Sequence, residues 1–355
     1  MRKSLRKVTR HLREVARHPR TASAAYIYRS RIKWERTFLS RKVILFERHA
    51  GIGDIICTFP AVLALRQKFP ETKLVYSTLK RFRPIVEMGK VADLVVEMDW
   101  SERTPKVAAR DYDLIFRPWL EGEVSKGLPH VHLVDDFCRT LGVQPNSRQP
   151  RLYVPRAAAK AMKRKMARHR VAGVPVVGVH VGPSWAVREW TANGWNELVG
   201  LLTRELGYRV IQLGAEVHTA RGSQDVLRCR GAEDWVGRLR LTDLVAAIYQ
   251  LDVLIGIDSG LLHIAGAVGT PCVGLFGPLD PTLRLSVETP SRAVVSSVPC
   301  LGCHHRTPIA HWRDGCPNSI ACMSEISAQE VTKACRELLE SSRGERNREM
   351  ESSAV

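Results

Sequence analysis

Long apolar runs are missing from this sequence, and no stretch approaches the roughly 18 consecutive apolar residues that a membrane-spanning helix needs. The first residues carry too many charges to contain the apolar segment of a secretory signal, so we expect a cytoplasmic protein. Cysteine is sparse, with nine in 355 residues, which excludes a small protein built on a disulfide framework. Hydrophobic residues make up 45% and charged residues 25%, as in a globular protein long enough for two domains.

Acidic residues are almost absent from residues 1–42, the N-terminal arm, which contains 14 Lys and Arg against two Glu. The arm therefore holds +12 of the formal net charge of +18. Four apolar residues are spaced to share one helical face: Leu5, Val8, Leu12 and Val15. A narrow apolar stripe on a basic helix predicts attachment to an anionic membrane surface. The alternatives are a packed or disordered arm, a nucleic-acid-binding segment and a mitochondrial transit peptide.

Strands and helices alternate through the rest of the chain. Eight short apolar runs are predicted as strands: 43–46, 74–76, 94–96, 114–116, 176–181, 209–213, 253–257 and 272–276. Helical patterns between them imply parallel sheets covered on both faces. A Pro-rich connection near 142–155 separates two doubly wound, Rossmann-like halves. We predict an α/β fold with this division: the arm at 1–42, an N-terminal domain at 43–157, a C-terminal domain at 158–340 and a disordered tail at 341–355.

The first predicted strand leads into a glycine turn, Gly51-Ile52-Gly53-Asp54. The third glycine of a dinucleotide fingerprint is absent, and no acid follows the second predicted strand. These two absences argue against an NAD site. Asp54 stands at the start of a helix, where it either caps that helix or acts as a general base directed into a cleft.

A second strand, turn and helix start contains Asp258, Ser259, Gly260 and His263. Backbone N–H groups of the turn lie at the positive end of a helix, which is the chemistry of a phosphate site. An anion there would repel Asp258, so we expect that carboxylate to face sugar hydroxyls. His263 is placed to donate to a phosphate oxygen, and the alternative is an N-capped helix with a core histidine.

A third turn, Gly182-Pro183-Ser184, is followed by Arg188. A guanidinium after a glycine turn at the end of a strand can reach a diphosphate with a fork of donors. The alternative for Arg188 is a surface salt bridge.

The body of the chain resembles glycosyltransferase family 9, the ADP-heptose:lipopolysaccharide heptosyltransferases, over roughly residues 43–339. Three stretches carry the resemblance: 51–70 with its Gly-Asp, 179–202 with Arg188-Glu189-Trp190, and 237–278 with Asp258-Ser259-Gly260, His263 and Phe276-Gly277-Pro278. The resemblance implies the GT-B fold, in which two Rossmann-like domains face each other across a cleft. The N-terminal domain would bind the acceptor and the C-terminal domain the nucleotide-sugar donor.

The resemblance also implies roles for matched residues. Asp54 would be the catalytic base, and Arg188 stands where the family usually has a lysine that contacts the donor phosphates. The predicted donor-binding residues are Gly51, Gly53, Ser184, Arg188, Glu216, Asp258, Ser259, Gly260 and His263. Glu216 stands two positions earlier than the family's ribose-binding glutamate. Arg117 and Trp119 follow a strand and are predicted to bind the acceptor.

These assignments predict inverting, metal-independent transfer of heptose from ADP-heptose to an inner-core lipopolysaccharide acceptor. The arm would hold the protein at the inner face of the cytoplasmic membrane. One alternative keeps the fold but uses a UDP-sugar, or a protein acceptor such as an autotransporter. Another is a nucleotide- or nucleic-acid-binding protein without catalysis, against which a base opposite the diphosphate loop argues.

Two patterns raise the question of a metal. Asp111-Tyr112-Asp113 precedes a predicted strand and is predicted to form a turn rather than a magnesium site. A tetrahedral thiolate site for structural Zn or Fe is predicted at Cys300, Cys303, Cys316 and Cys322, with His304, His305 and His311 as substitute ligands. Unligated thiols and disulfides are the alternatives, and no cofactor is expected in catalysis. The isolated cysteines are predicted to lie in the core: Cys57, Cys138, Cys229, Cys272 and Cys335.

Overall fold

A computed structural model describes residues 42–49, 51–98, 112–118, 130–219, 222–224, 226–305 and 316–352. Nearly all of the N-terminal arm lies outside these residues, as do Asp111, Trp119 and His311. Membrane attachment by the arm therefore stays a prediction. Within the described ranges, no helix combines the length and the apolar character that crossing a bilayer requires.

The N-terminal domain is built on a parallel sheet of four strands in the order β3-β2-β1-β4. The strands are β1 (Val43–Glu47), β2 (Lys73–Leu79), β3 (Leu94–Met98) and β4 (Leu114–Phe116). Its helices are α1 (Ile52–Cys57), α2 (Phe59–Lys68), α3 (Arg83–Gly89) and α4 (Leu133–Leu141). Every residue of β1 is buried, as expected for an apolar strand covered on both faces. Because β1 lies between β2 and β4, the strand order reverses at β1, where ligands bind beyond the carboxyl ends.

The C-terminal domain contains a parallel sheet of six strands in the order β12-β11-β10-β5-β6-β9. These strands are β5 (Val176–His180), β6 (Arg209–Gln212), β9 (Glu233–Asp234), β10 (Val253–Ile257), β11 (Cys272–Phe276) and β12 (Ser291–Val295). A separate antiparallel pair consists of β7 (Val217–Thr219) and β8 (Gly222–Gln224). The strand order reverses between β5 and β10, so the second ligand-binding edge lies there.

In the described ranges, six helices accompany this sheet, and a π-helical turn (Leu201–Glu205) extends one of them. They are α5 (Arg156–Met166), α6 (Ala192–Gly200), α7 (Leu241–Tyr249), α8 (Gly260–Val268), α9 (Ala321–Ser324) and α10 (Ala328–Ser352). The first of them, α5, packs against α7. The predicted α/β architecture of two parallel-sheet domains is confirmed.

The connection between the domains is hydrogen-bonded to both of them. Leu152 N–H donates to Ala267 O at 2.9 Å in the C-terminal domain. Tyr153 N–H donates to Met88 O at 2.8 Å in the N-terminal domain. The connection is therefore part of the structure rather than a free linker.

The predicted disordered tail is wrong for residues 341–352, because α10 continues through them to Ser352. The first part of α10 is anchored in the core by Val331, Cys335 and Leu338, all buried. A helix already nucleated by packing extends at low cost, because each further residue adds one backbone hydrogen bond. Residues 353–355 lie outside the described ranges.

Candidate active site

Two strand–turn–helix corners meet face to face between the domains. The first corner joins β1 to α1, and the second joins β10 to α8. A Cβ on Gly53 would lie 2.3 Å from His263 Cδ2, and a Cβ on Gly260 would lie 2.8 Å from Ile52 Cβ. Only glycine permits such a close approach, and we refer to these four residues as the helix seam. The seam brings the turn with Asp54 and the predicted donor loop to one place.

Asp54 does not cap the helix that contains it. The N-cap of α1 is Gly51, with φ of 79°, and no side chain caps this helix. Instead, Arg48 Nη2 donates to Asp54 Oδ2 at 2.5 Å. The Arg48 guanidinium also lies over the Phe137 ring, 5.5 Å from its centroid. Asp54 Oδ1 has no hydrogen-bond partner among the described residues, so this oxygen is available to a substrate hydroxyl.

Arg188 and Asp258 form the opposite side of the site. Arg188 Nη1 lies 3.3 Å from Asp258 Oδ2, with side chains only 17% and 7% exposed. The guanidinium stacks on Trp185 at 4.2 Å, so the surface salt bridge considered for Arg188 is wrong. Burial lowers the pKa of Arg188, while the Asp258 charge opposes that shift. Arg188 Nε and Asp258 Oδ2 are buried and have no hydrogen-bond partner in the described part of the chain. A polar ligand can therefore form hydrogen bonds with both atoms.

His263 lies in the seam as a neutral ring. Its Nδ1 is 3.5 Å from Cys57 Sγ, and its edge rests on Gly53. Burial lowers the pKa of His263 to about 4, with the Asp258 charge acting in the opposite direction. Burial raises the pKa of Cys57 far above its usual range, so that side chain remains a thiol. A neutral imidazole can donate one N–H to a ligand but brings no charge.

Three other predicted donor residues differ in how near they lie to this centre. Ser259 is the N-cap of α8, accepting from Leu261 N–H at 3.4 Å, so the capping alternative is correct for its side chain. Ser184 N–H donates to Glu189 Oε1 at 3.0 Å. Glu216 follows β6, two strands away from β10, and is half exposed with Oε1 3.6 Å from Arg228 Nη2. The structure thus brings Ser259 into the seam region and leaves Glu216 at the edge of the sheet.

Arg117, predicted to bind the acceptor, is anchored by a buried carboxylate. Its Nε donates to Glu47 Oε2, and Glu47 is the last residue of β1. The Glu47 side chain is 1% exposed, whereas that of Arg117 is 50% exposed. One edge of the guanidinium is therefore fixed near the carboxyl end of β1, and the rest is open to solvent.

Asp113 serves the fold, as the turn interpretation predicts. Its Oδ2 accepts from Val43 N–H at 2.8 Å, and its own N–H donates to Val43 O at 2.8 Å. Both bonds fasten the start of β1, at the opposite end of the strand from Asp54.

The cysteine cluster gathers thiols without forming a ready set of ligands. The thiols of Cys300, Cys303 and Cys316 all act on Cys322, whose pKa rises to about 11, chiefly through burial. Within the described ranges, no three or more His, Cys, Asp and Glu side chains are arranged to hold a metal ion. All nine cysteines are free thiols, and the five isolated ones are buried as predicted: Cys57, Cys138, Cys229, Cys272 and Cys335. The predicted structural metal is therefore not confirmed by this arrangement.

Sequence reasoning missed two arginines of the site. Arg48 follows β1 and pairs with Asp54, and its position at the end of a central strand was an available signal. Arg284 lies after β11 in a loop without a recognised motif. Its charge acts on both His263 and Arg188, which places it beside the seam. No pattern in the sequence marks this residue.

Two parallel-sheet domains that meet at the carboxyl ends of their strands define the GT-B fold. E. coli ADP-heptose lipopolysaccharide heptosyltransferase II has this architecture, with a TM-score of 0.62 at 18% identity, over 85% of this chain and 99% of that one. The iron-containing dodecameric glycosyltransferase TibC from enterotoxigenic E. coli gives a TM-score of 0.63 at 21% identity, over 85% of this chain and 77% of TibC.

The profile of glycosyltransferase family 9 (heptosyltransferase) matches residues 129–312, about half of the chain. The chain therefore belongs to glycosyltransferase family 9, which confirms the resemblance inferred from the sequence. Autotransporter heptosyltransferase Aah from Escherichia coli is 31% identical over 168 residues, which are 47% of this chain and 39% of Aah. The match thus spans about two-fifths of the length of that relative.

Proposed function

We propose that this protein is an inverting glycosyltransferase that transfers heptose from ADP-heptose to an inner-core lipopolysaccharide acceptor. The observation that carries the proposal is the helix seam, because it sets the Asp54 carboxylate opposite the loop of Asp258 and His263. Membership of the heptosyltransferase family supports the donor and the reaction class. A protein that only binds nucleotides has no need of a carboxylate opposite its diphosphate site.

In the proposed reaction, Asp54 Oδ1 accepts the proton of an acceptor hydroxyl. The hydroxyl oxygen forms a bond to the anomeric carbon of heptose, while the bond from that carbon to the diphosphate oxygen breaks. Attack and departure occur on opposite faces, so the configuration inverts. The electron pair of the broken bond leaves with the nucleoside diphosphate, whose charge needs stabilisation.

That stabilisation is assigned to groups of the C-terminal domain. Arg188 supplies a charged fork of donors, and His263 supplies one neutral N–H. Backbone N–H groups at the start of α8 add the positive end of a helix. These preorganised donors let the reaction proceed without a metal in the proposed mechanism. Asp258 is assigned to hydroxyl groups of the sugar.

The remaining assignments concern binding. Glu216 and Ser184 are proposed to hold the nucleoside part of the donor, and Gly51 and Gly53 are proposed to contact the donor as well. Arg117 is proposed to bind an anionic group of the acceptor with the exposed half of its guanidinium. Trp119 is proposed as a second acceptor-binding residue. The N-terminal arm is proposed to bind an anionic membrane surface from the cytoplasmic side.

A structural Zn or Fe ion is proposed for the four clustered cysteines. Four thiolates are the ligand set that these metals prefer, and the electrostatic action of three thiols on Cys322 supports their proximity. TibC is described as iron-containing. The proposed metal takes no part in the chemical step.

A protein acceptor is the second candidate function. The observation that favours it is the 31% identity to Aah, an autotransporter heptosyltransferase. Donor, base and mechanism would be unchanged, and only the group contacted by the N-terminal domain would differ. A UDP-sugar donor is the further alternative within the same fold.

The test begins with thermal unfolding of the purified protein in the presence of ADP, UDP, GDP or NAD. A ligand present at a hundred times its dissociation constant adds about 2.7 kcal/mol of stability. Selective stabilisation by ADP is the expected result, and stabilisation by UDP alone would move the donor to a UDP-sugar. Transfer from ADP-heptose is then compared on a lipopolysaccharide core and on an autotransporter polypeptide. Transfer to the polypeptide alone would replace the proposed acceptor.

A further inference from the structure

Arg284 differs from the other arginines near the helix seam in having no carboxylate partner. Arg48 binds Asp54 at 2.5 Å, and Arg188 lies 3.3 Å from Asp258. Among the described residues, no carboxylate oxygen lies within 4 Å of Arg284. Its Nε is enclosed by the protein and has no hydrogen-bond partner there either.

The position of Arg284 places its charge at the junction of the two domains. The residue follows the short 3₁₀ turn Pro281–Leu283, and its own N–H donates to Pro281 O at 3.0 Å. With His132, Cys57 and His263 it lines a small cavity of about 20 Å³ between the domains. The cavity touches the first turn of α8, where the predicted diphosphate loop lies.

The three arginines near the helix seam carry one more positive charge than the two aspartates beside them can match. Arg48 and Arg188 are matched by Asp54 and Asp258, which leaves the charge of Arg284 unmatched. Arg284 is partly buried, and its buried Nε–H loses hydration without gaining a hydrogen bond or an opposing charge, which is costly. Such a group is retained where a ligand supplies the missing negative charge.

We propose that Arg284 is a second guanidinium of the donor site, which binds the nucleoside diphosphate together with Arg188. This assignment rests on the proposed function. It is made to the donor rather than the acceptor because Arg284 belongs to the C-terminal domain and lies beside the start of α8. A nucleoside diphosphate then meets one cation on each side of the α8 turn.

The test compares the binding of ADP, AMP and adenosine by titration calorimetry. The variants are Arg284→Gln, Arg284→Lys and the control Arg292→Gln, which changes an exposed arginine on β12. Arg284→Gln is expected to weaken ADP binding roughly 10- to 100-fold, since a hydrogen bond between charged groups is lost. AMP binding should weaken less, and adenosine binding should not change. Arg284→Lys should keep part of the ADP affinity, and Arg292→Gln should match the wild type.

Two results would overturn the assignment. Unchanged ADP affinity in Arg284→Gln with a raised KM for the acceptor would place this side chain on the acceptor. An equal loss for adenosine and ADP would show a general structural role. If the wild type binds no nucleoside diphosphate, the proposed function fails, and titration with inorganic pyrophosphate then decides for or against Arg284 in the same variants.

Discussion

The two corners of the helix seam are both strand–turn–helix units, but they differ in the exposure and the hydrogen bonding of their aspartate. In the first corner, Asp54 is 26% exposed and receives a hydrogen bond of 2.5 Å from Arg48. In the second, Asp258 is 7% exposed and lies 3.3 Å from Arg188, with one oxygen lacking a hydrogen bond in the described part of the chain. The same strand–turn–helix unit thus presents a solvent-accessible carboxylate on one side and an enclosed one on the other.

This difference separates two chemical tasks. A carboxylate that must take a proton from an incoming hydroxyl needs one accessible oxygen, which the Asp54–Arg48 pair leaves at Oδ1. A carboxylate that must hold sugar hydroxyls gains from enclosure, because a hydrogen bond is stronger away from water. This difference supports the proposed roles, in which the first corner reacts and the second recognises the sugar.

The largest expected effect comes from Asp54→Asn, which removes the base and keeps the shape. Turnover should fall on the order of 1000-fold, within the range for loss of a general base, while ADP affinity stays within a factor of about two. Steady-state rates and calorimetry measure the two quantities. Asp243→Asn, in the first turn of α7 with a side chain that is 27% exposed, is the matched control and should leave both unchanged. Near-normal turnover in Asp54→Asn would remove the proposed role of the first corner.

The second corner is tested by Arg188→Gln, which leaves Asp258 enclosed without its cation. ADP affinity should fall roughly 100-fold, because a charged fork is lost and a carboxylate is left unpaired. Arg188→Lys should recover part of the affinity, since it restores the charge but not the stacking on Trp185. Arg238→Gln, 64% exposed, serves as the control. ADP affinity equal to wild type in Arg188→Gln would separate this arginine from the donor.

The contact between the corners is tested by Gly53→Ala. The added Cβ would lie 2.3 Å from His263 Cδ2, so the two corners must move apart. We expect a loss of about 2–3 kcal/mol in the free energy of unfolding, together with reduced turnover. In Gly256→Ala the nearest contact would be an ordinary 3.4 Å, so its loss should stay below about 1 kcal/mol. Equal urea midpoints for both variants would contradict the tight seam.

The smallest expected effect is a pH dependence from the buried ring of the second corner. Burial lowers the pKa of His263 to about 4, against about 6.5 for an unfolded histidine. Between these values the unfolded chain binds the additional proton, so stability is lost as pH falls. His263 should contribute about 1.4 kcal/mol to the loss between pH 7.5 and 5.5. Urea unfolding of His263→Gln at both pH values should show a smaller difference than wild type, and an identical difference would contradict it.

The sequence predicted the strands that consist of continuous runs of apolar residues. Fully buried parallel strands read as apolar runs, and β10 and β11 have the predicted limits. The limits of β4, which is also an apolar run but is not buried, were predicted as well. Four of the described strands were not predicted. β9 (Glu233–Asp234) and β12 (Ser291–Val295) lie at sheet edges and contain polar residues, and β7 (Val217–Thr219) and β8 (Gly222–Gln224) form a separate two-stranded pair. Edge strands do not need an apolar pattern on both faces, so composition gives little indication of them.

Within the site, the sequence identified the candidate residues that follow strands, but it did not identify the side chains that pair with them. Asp54, Arg188 and Asp258 each stand after a strand or a glycine turn, where ligands bind in this class of fold. The pairing of Arg188 with Asp258 and the unmatched charge of Arg284 depend on the folded arrangement of distant segments. No local spacing encodes such contacts.

The helix seam also bears on the rate at which the domains open and close during turnover. In the proposed reaction, we expect the nucleotide sugar to enter and leave when Gly53 and His263 separate, because these residues are in close contact. The connection is fastened to both domains through Leu152 and Tyr153. Each catalytic cycle then includes one opening and one closing, and domain motions of this kind take microseconds to milliseconds. We therefore expect the turnover rate to fall as solvent viscosity rises, because viscosity slows the motion of whole domains and does not affect bond formation.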